Sequence, residues 1–344
     1  MKTVLVLRFS AMGDVAMTAA ALREFAPAHS DVHFAMVSRP LFAPFFEGLD
    51  NVTFIATDFN KQYKGLRGLW RLFHDLRRQK PAAVADLHDV LRTKILRLLF
   101  RLWGFKVKKI NKGRHEKRQL TRRHHKQLKP LQHTIARYTD VLTAAAAVCD
   151  MRYAMSDVRD TNYLVPCTTY YAPQATLRVS KIGIAPFAKH RGKIYPLGKM
   201  EKIVAHFAQL NNAEVYLFGG GAAEIVLLAE WEAKYSGVIS LAGKMSLSEE
   251  LSQLADMDVV VSMDSANMHM ASLMGVTVVA VWGATHPFAG FTGWKQEEIN
   301  NIQLDLPCRP CSVFGDKACF RHDYACMNIP EQIIIEKITA LLYL

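Results

Sequence analysis

The sequence predicts an α/β protein made of two doubly wound parallel-sheet domains that face each other across a cleft. Short β-branched runs alternate with helical stretches, and this alternation stops near the middle of the chain and then restarts. The length of 344 residues also fits two domains of roughly 150 residues each. Strands that alternate with helices in this way are expected to lie parallel in one sheet.

The first half of the chain shows the alternation from its start. We expect a strand over residues 1–7, a turn, and an alanine-rich helix over 15–25. The elements expected after them are a strand over 32–38, a helix over 67–79, a strand over 82–87 and a basic amphipathic helix over 92–103. These elements define a first domain over residues 1–160.

The rhythm is lost after residue 156, where Pro166 and Pro173 stand among polar residues, and this predicts a linker over 161–180. The alternation restarts in a second domain over 181–330. Strands are expected at 181–185, 214–218, 238–241, 259–263 and 276–282. Helices are expected at 199–211, 222–235, 247–256 and 266–274, and a closing helix at 331–344.

Composition bounds the class of protein. Half of the residues are hydrophobic and 22% are charged, which is an ordinary globular composition. No apolar run is long enough for a transmembrane helix. Arg8 ends the first apolar run too early for the hydrophobic region of a signal peptide, so we expect neither. Six cysteines, with Cys149 and Cys167 isolated, do not form a secreted disulfide pattern. We therefore expect a cytoplasmic protein.

The positive charge is local. Residues 92–129 hold fifteen Lys and Arg against the single acid Glu116, which gives this segment a charge of +14. The net charge of the chain is +12, so the remaining residues together carry −2. Three interpretations remain: a patch for anionic membrane lipids, a patch for nucleic acid, or a solvated helix face without a partner. Nucleic-acid binding is disfavoured because residues 106–129 contain no aromatic residues among the basic ones.

Two segments follow predicted strands at the edge where parallel sheets bind ligands. In the first, Gly13 permits close approach of the backbone and Asp14 stands at the mouth of a helix, as a general base or only as a helix cap. In the second, Asp264 and Ser265 open a helix whose first N–H groups can receive a diphosphate, and His269 comes round to the same face. Alone, His269 is more often a packed or capping histidine.

Two further loops carry polar or flexible residues. Gly219 and Gly220 follow a strand, and Glu224 begins the next helix at a spacing suited to ribose hydroxyls. These glycines match neither the dinucleotide fingerprint nor a P-loop, which excludes a dehydrogenase or ATPase interpretation. Arg191 and Lys193 follow the first strand of the second domain, where they neutralise phosphate charge or form a solvated basic loop.

Taken in order, these segments resemble the ADP-heptose:lipopolysaccharide heptosyltransferases of glycosyltransferase family 9. The similar segments are residues 8–15, 193–196, the glycine loop with Glu224, 241–247, 262–269 and 282–287, so that the resemblance spans nearly the whole chain. It implies the GT-B fold, with two facing Rossmann-like domains. It also implies inverting, metal-independent transfer of heptose from ADP-heptose to a lipopolysaccharide core or lipid A precursor.

The resemblance assigns roles to individual residues. Asp14 is implied as the base, next to Ser10 and Gly13 on the acceptor side. The residues implied on the donor side are Arg191, Lys193, Gly219, Gly220, Glu224, Met245, Asp264, Ser265, Ala266 and His269. Met245 would line the adenine pocket, and no cofactor is required beyond the donor substrate. An inverting displacement needs only a carboxylate base and an electropositive pocket for the leaving diphosphate.

In this family the first domain receives the lipid acceptor, whose sugars are acidic and phosphorylated. We therefore expect Lys106, Arg114 and Arg122 to bind the acceptor, and the basic segment to meet the anionic inner face of the inner membrane. Lys108, Lys109 and Arg123 belong to the same surface. The competing hypotheses are transfer of another nucleotide-activated sugar, and a nucleotide-sugar binding protein that has lost turnover.

Two patterns suggest metal sites. Asp256 and Asp258 spell the Asp-x-Asp of metal-dependent transferases, but they precede a strand instead of following it, so we interpret them as a surface turn. Cys308, Cys311, Cys319 and Cys326 stand within nineteen residues near the end of the chain. A structural zinc site, disulfides and free thiols remain open for this cluster.

Overall fold

The computed structural model of this chain describes residues 1–149 and 179–342. They form two separate parallel sheets with helices on their faces, which confirms the predicted fold class. The predicted linker falls almost entirely on residues 150–178, outside the described ranges.

Sheet A contains five parallel strands in the order β3-β2-β1-β4-β5. The strands are β1 (Lys2–Leu7), β2 (Val32–Ser38), β3 (Val52–Ala56), β4 (Ala83–Asp86) and β5 (Lys106–Lys109). The helices of this half are α1 (Met12–Phe25), α2 (Gly65–Arg77), α3 (Leu91–Leu102), α4 (Arg114–Leu120) and α5 (Thr134–Ala146).

Strand β1 shows why the sheet is covered on both sides. Its residues from Val4 to Leu7 are fully buried, and successive side chains enter opposite cores. Val4 and Val6 join the apolar cluster with α1 and α5, whereas Leu5 and Leu7 join the cluster with α2 and α3. A strand in the centre of a doubly wound sheet therefore reads as a continuous apolar run.

Sheet B contains six parallel strands in the order β11-β10-β9-β6-β7-β8. They are β6 (Ser180–Ala185), β7 (Ala213–Leu217), β8 (Val238–Ser240), β9 (Val259–Met263), β10 (Thr277–Trp282) and β11 (Asn301–Gln303). The helices are α6 (Leu197–Ala208), α7 (Ala222–Lys234), α8 (Leu247–Ala255), α9 (Ala266–Leu273) and α10 (Glu331–Leu342). The closing helix α10 packs on the second domain through Ile334, Ile335 and Ile338.

Five elements were not predicted: β3, β5, β11, α4 and α5. Strand β5 lies at the edge of sheet A and carries three lysines, so its sequence lacks the apolar alternation that predicts a strand. Lysines on an edge strand discourage pairing with another chain. Its basic residues therefore belong to a strand and not to a helix face.

Candidate functional site

A cavity of about 660 Å³ lies between the two domains at the carboxyl ends of β1, β6, β7 and β9. This is the edge at which doubly wound sheets bind ligands, and the volume suits a nucleotide-sized ligand. The structure brings ten of the predicted site residues to its walls. They are Gly13, Asp14, Lys193, Gly219, Gly220, Glu224, Asp264, Ser265, Ala266 and His269.

Asp14 lies in the first turn of α1 and faces the cavity with 31% of its side chain exposed. Its Oδ2 forms an ion pair with the Arg8 guanidinium at 2.5 Å and accepts a weaker hydrogen bond from the Ala11 N–H at 3.4 Å. The side chain therefore caps its helix and is still open to the cleft, and its role as a general base stays a prediction.

Arg8 was not singled out by the sequence as a site residue. Its side chain is buried, and its Nη1 donates to the carbonyl of Leu87 at 2.7 Å, just after β4. The guanidinium also lies 5.7 Å from the centre of the Tyr138 ring. Arg8 is thereby fixed from two sides, and it fixes the position of the Asp14 carboxylate in turn.

Lys193 and Asp264 form the corresponding pair on the second domain. The Lys193 ammonium lies 2.9 Å from Asp264 Oδ2, and both side chains are largely buried. The lysine stem packs on Gly315, which has a φ of +73° and whose added Cβ would lie 2.6 Å from Lys193 Cγ. A cation is therefore held at the wall of the cleft, where an anionic ligand can share it.

The first turn of α9 faces α1 across the cleft. Ser265 precedes the helix in extended conformation, with its hydroxyl 3.2 Å from that of Ser262, and no side chain of the described residues caps the first N–H groups of α9 beside the cavity. A Cβ on Gly13 would lie 2.7 Å from His269 Cδ2. The two domains therefore touch where Gly13 lacks a side chain.

His269 is enclosed at this contact. Burial lowers its pKa to about 4, with Lys193 among the smaller contributions, so the ring is neutral at pH 7. Its Nδ1 is buried and has no hydrogen-bond partner among the described residues. The packed interpretation of this histidine is correct, and its position against Gly13 also places it in the cavity wall.

The glycine loop after β7 is held by a side chain from the first turn of the following helix, α7. Glu224 Oε2 accepts hydrogen bonds from the N–H groups of Gly220 at 3.0 Å and Gly221 at 3.1 Å. This is one half of a capping box at the start of α7, because the N-cap residue Gly221 has no side chain to complete it. The second carboxylate oxygen accepts none of these bonds, so Glu224 holds the loop and still presents an acceptor to the cavity.

Six predicted site residues do not line this cavity: Ser10, Arg191, Met245, Lys106, Arg114 and Arg122. The Arg191 guanidinium carbon lies 4.9 Å from the centre of the Tyr324 ring, and Met245 is half-buried. Lys106 begins β5 and therefore lies at the amino end of the sheet, away from the cleft. Arg114 pairs with Asp89 at 3.1 Å.

Arg122 lines a second cavity of about 430 Å³ between the two domains. The cationic residues on its walls are Arg118, Arg122 and Arg123 from the end of α4 and beyond, and Lys317 from the cysteine-bearing loop. Arg123 also stacks on Phe320 at 4.1 Å. No ion pair joins these four cations to a carboxylate in the described residues, so the cavity is electropositive.

The cysteine-bearing loop contains four cysteines. Cys308, Cys311, Cys319 and Cys326 are unbridged in this structure, and the choice between disulfides and free thiols stays a prediction. Across residues 1–149 and 179–342, no group of three His, Cys, Asp or Glu side chains is arranged to hold a metal ion, so the zinc interpretation finds no support in this arrangement. Burial raises the pKa of Cys326 to about 11 and also raises that of Cys311, which keeps both protonated.

The Asp256 and Asp258 pair lies at the amino end of β9, away from the cleft. Asp256 lies 2.5 Å from the Lys181 ammonium, and Asp258 Oδ2 accepts from the Lys181 N–H at 2.8 Å. These carboxylates tie β6 to β9, in agreement with the predicted turn.

Several cavity residues were missed by the sequence. They are apolar, aromatic or isolated acidic side chains without a motif, such as Phe187, Glu250, Phe291 and Phe314. Burial raises the pKa of Glu250. Behind Phe291, the Lys117 ammonium lies 4.0 Å from the ring centre, and burial, aided by Arg137, lowers its pKa to about 8.

No helix within the described ranges is both long and apolar enough to cross a bilayer.

Comparison with known proteins relates the chain to one family. The family model described as glycosyltransferase family 9 (heptosyltransferase) matches residues 69–319. A lipooligosaccharide heptosyltransferase 2 of Campylobacter jejuni is 27% identical over 162 residues, which are 45% of this chain and 49% of that protein. The chain thus spans about half the length of the curated relatives it matches.

Solved structures share the fold over the whole chain. A glycosyltransferase family 9 structure from Veillonella parvula superposes with a TM-score of 0.71 and 18% identity, covering 99% of this chain and 97% of that one. The structure of Escherichia coli heptosyltransferase WaaC with ADP superposes with a TM-score of 0.65 and 17% identity. The match covers 99% of this chain and 100% of that one. At these identities the likeness is one of architecture.

Proposed function

The chain belongs to glycosyltransferase family 9 (heptosyltransferase), and on that premise we propose that it transfers heptose from ADP-heptose to a lipopolysaccharide core or lipid A precursor, with inversion and without a metal. The observation that carries the proposal is the pairing of groups across one cleft. Asp14 on α1 and the first turn of α9 face the same cavity, in contact through Gly13 and His269.

Asp14 is the base in this proposal. Its carboxylate takes the proton of the acceptor hydroxyl, and that oxygen attacks the anomeric carbon from the side opposite the diphosphate. The bond from the anomeric carbon to the diphosphate oxygen breaks, and its electron pair leaves with ADP. Asp14 lies before the matched range of 69–319, so its role rests on its place in the cleft and its anchoring by Arg8.

The leaving diphosphate meets positive charge on the second domain. Lys193 supplies an ammonium, and the N–H groups at the start of α9, near Ser265 and Ala266, supply the positive end of a helix. Asp264 holds Lys193 in position. These groups stabilise the developing charge without a metal ion, and Glu224 is the proposed acceptor for ribose hydroxyls.

The donor assignment draws on relatives. Structures of Escherichia coli WaaC contain ADP in one case and ADP-2-deoxy-2-fluoro heptose in another. The cavity here has a volume that suits such a ligand. We therefore assign ADP-heptose as the donor and require no further cofactor.

The acceptor side involves the second, electropositive cavity. Arg122 with Arg118, Arg123 and Lys317 offers a site for acidic or phosphorylated sugars next to the cleft. Arg114, at the start of α4, pairs with Asp89 and does not line this cavity, and neither does Lys106, which begins the edge strand β5. An acceptor that carries lipid calls for a peripheral position on the inner face of the inner membrane.

Calorimetric titration in EDTA tests the proposal. We expect ADP to bind, with UDP and GDP weaker by about tenfold or more. Purified protein with ADP-heptose and extracted lipid acceptor should then release ADP. A preference for UDP or GDP would retain the fold and overturn the donor, and binding without any turnover would support the inactive binding protein instead.

A further inference from the structure

Helices α2 and α3 expose large apolar side chains where a surface helix carries polar ones. The two helices pack side by side on sheet A, where the Phe73 ring lies 4.9 Å from that of Phe100. Fifteen large apolar side chains are exposed in the described residues, and six of them belong to α2, to α3 or to the residue directly after α3. They are Leu66, Trp70, Leu91, Leu98, Leu102 and Trp103.

The spacing of the leucines shows that they form a second apolar face. Leu91, Leu98 and Leu102 are separated by seven and four residues, which places them on one side of α3. The other side of the helix is already buried through Leu96 and Phe100. Leu98 is 58% exposed and Leu102 73%, so core packing does not account for the outward stripe.

Cations surround this apolar stripe. Arg67, Arg71, Lys94 and Arg101 are exposed on the same two helices, and none of them forms an ion pair within the described part of the chain. Helix α3 contains no acidic residue, and Asp75, the single acid of α2, contacts Tyr63 and Arg78. The charge of this face is therefore positive.

The two tryptophans occupy the seam between the helices. The ring centres of Trp70 and Trp103 lie 5.8 Å and 5.9 Å from the ring centre of Phe73. The Arg77 guanidinium carbon lies 4.2 Å from the centre of the Trp103 ring. Each indole is about half exposed. Tryptophan and arginine in this combination are typical of side chains at the boundary between lipid headgroups and acyl chains.

The face also adjoins the cleft. Both helices begin after the carboxyl ends of their preceding strands, β3 and β4, so Leu66 and Leu91 lie at the edge of sheet A where Asp14 is located. A surface held against this face would bring a membrane-anchored molecule to the acceptor side of the cavity.

We propose that the α2–α3 face, formed by Leu66, Trp70, Leu91, Leu98, Leu102, Trp103 and the four cations, docks on an anionic bilayer surface. The apolar side chains enter the boundary between headgroups and acyl chains, and the cations contact lipid phosphates. This deepens the proposed function and rests on it only for the lipid-anchored nature of the acceptor. It differs from docking through Lys106, Lys108 and Lys109 on the edge strand β5.

Vesicle co-sedimentation of the full chain tests the proposal. The probes are vesicles of phosphatidylcholine alone and vesicles with equal parts of phosphatidylcholine and phosphatidylglycerol. We expect binding to the anionic vesicles, and a loss of about tenfold or more in the Leu98→Glu/Leu102→Glu variant. The matched control is Ile299→Glu/Ile333→Glu, which changes two exposed apolar residues of the second domain and should bind like the wild type.

Tryptophan fluorescence gives a second readout. Emission should shift to the blue on addition of anionic vesicles, and Trp70→Phe/Trp103→Phe should abolish the shift. Equal partition of the wild type and the Leu98→Glu/Leu102→Glu variant would overturn the proposal, as would a loss confined to Lys106→Glu/Lys108→Glu/Lys109→Glu. A dimer in sedimentation that the leucine variant dissociates would assign the face to a second copy instead.

The test separates this inference from the proposed function. The leucine variant should retain the ADP affinity of the wild type in calorimetry. Loss of vesicle binding with ADP binding kept supports the docking face alone, whereas a wild type that binds vesicles but not ADP contradicts the proposed function and leaves the docking face in place.

Discussion

The two halves of the cleft are built in different ways. On the second domain, Lys193, Gly219 and Asp264 each follow a strand of sheet B, so segments after strands carry the groups that we propose for the diphosphate. On the first domain, Asp14 is anchored by Arg8, which depends in turn on a carbonyl at Leu87. The donor half thus presents groups that follow strands of its own sheet, whereas Asp14 on the acceptor half also depends on Arg8, which is fixed by a carbonyl 79 residues away in the chain.

This difference suggests a division of labour, in which the first domain supplies the base and the second supplies the charge that holds the nucleotide. A variant that loses only turnover or only nucleotide affinity would support that division.

Replacement of the base should have the largest effect. Asp14→Asn keeps the size of the side chain but cannot accept the acceptor proton, so kcat should fall by about a thousandfold. ADP affinity in calorimetry should stay unchanged, because the diphosphate is held by the other domain. The control is Asp50→Asn, an exposed carboxylate before β3 at the opposite end of the sheet. Turnover within tenfold of the wild type would place the base elsewhere.

Acid should destabilise the protein through its buried histidines. Burial lowers the pKa of His269 to about 4 from 6.5, so between these values the unfolded chain binds the proton and the folded chain does not. Stability therefore falls as pH drops from about 6.5 to 4, by on the order of 3 kcal/mol for this group.

Urea unfolding at several pH values measures that slope. His269→Gln should flatten it, whereas His206→Gln, at an exposed position of α6, should leave it as in the wild type. His88 on the first domain should contribute in the same direction, because burial and, to a lesser extent, Arg8 lower its pKa to about 3. A slope that His269→Gln leaves intact would assign the acid sensitivity to other histidines, such as His88 or His286, whose pKa burial lowers to about 4.

Loss of the donor-side cation should weaken nucleotide binding next. Lys193→Met removes the ammonium near the proposed diphosphate and should raise the ADP Kd by about a hundredfold. The double variant with Asp264→Asn avoids leaving a buried, unpaired carboxylate and should show the same loss with better stability. Lys202→Met, on the exposed side of α6, is the control. Unchanged ADP affinity in the double variant would contradict the division.

The donor half was also the half that the sequence predicted well. Parallel strands end at one edge of a sheet, so groups that follow Val259–Met263 or Ala213–Leu217 are expected at the cleft without any knowledge of packing. Buried strands such as β9 have nearly continuous apolar sequences, and this made their bounds predictable within a residue or two.

Residues whose position depends on packing were predicted poorly. The sequence gives no sign that Arg8 anchors Asp14, and Phe291 carries no motif. Charge and membership of the first domain predict Lys106 at the acceptor, although its strand places it at the amino end of the sheet. Charge composition indicates that a surface is basic, but only the topology decides which end of a strand faces the cleft.

Gly13 is where the two halves meet, and its replacement should have the smallest effect. In Gly13→Ala the added Cβ would lie 2.7 Å from His269 Cδ2, so the ring or the whole domain must shift by a few tenths of an ångström or more. We expect turnover about tenfold lower and a slightly larger radius of gyration in X-ray scattering. Gly198→Ala, which meets nothing within 4 Å, is the control. If both variants behave alike, the halves tolerate separation and the base need not be held against α9; if only Gly13→Ala loses turnover while ADP affinity stays, the approach of the two domains is part of the reaction.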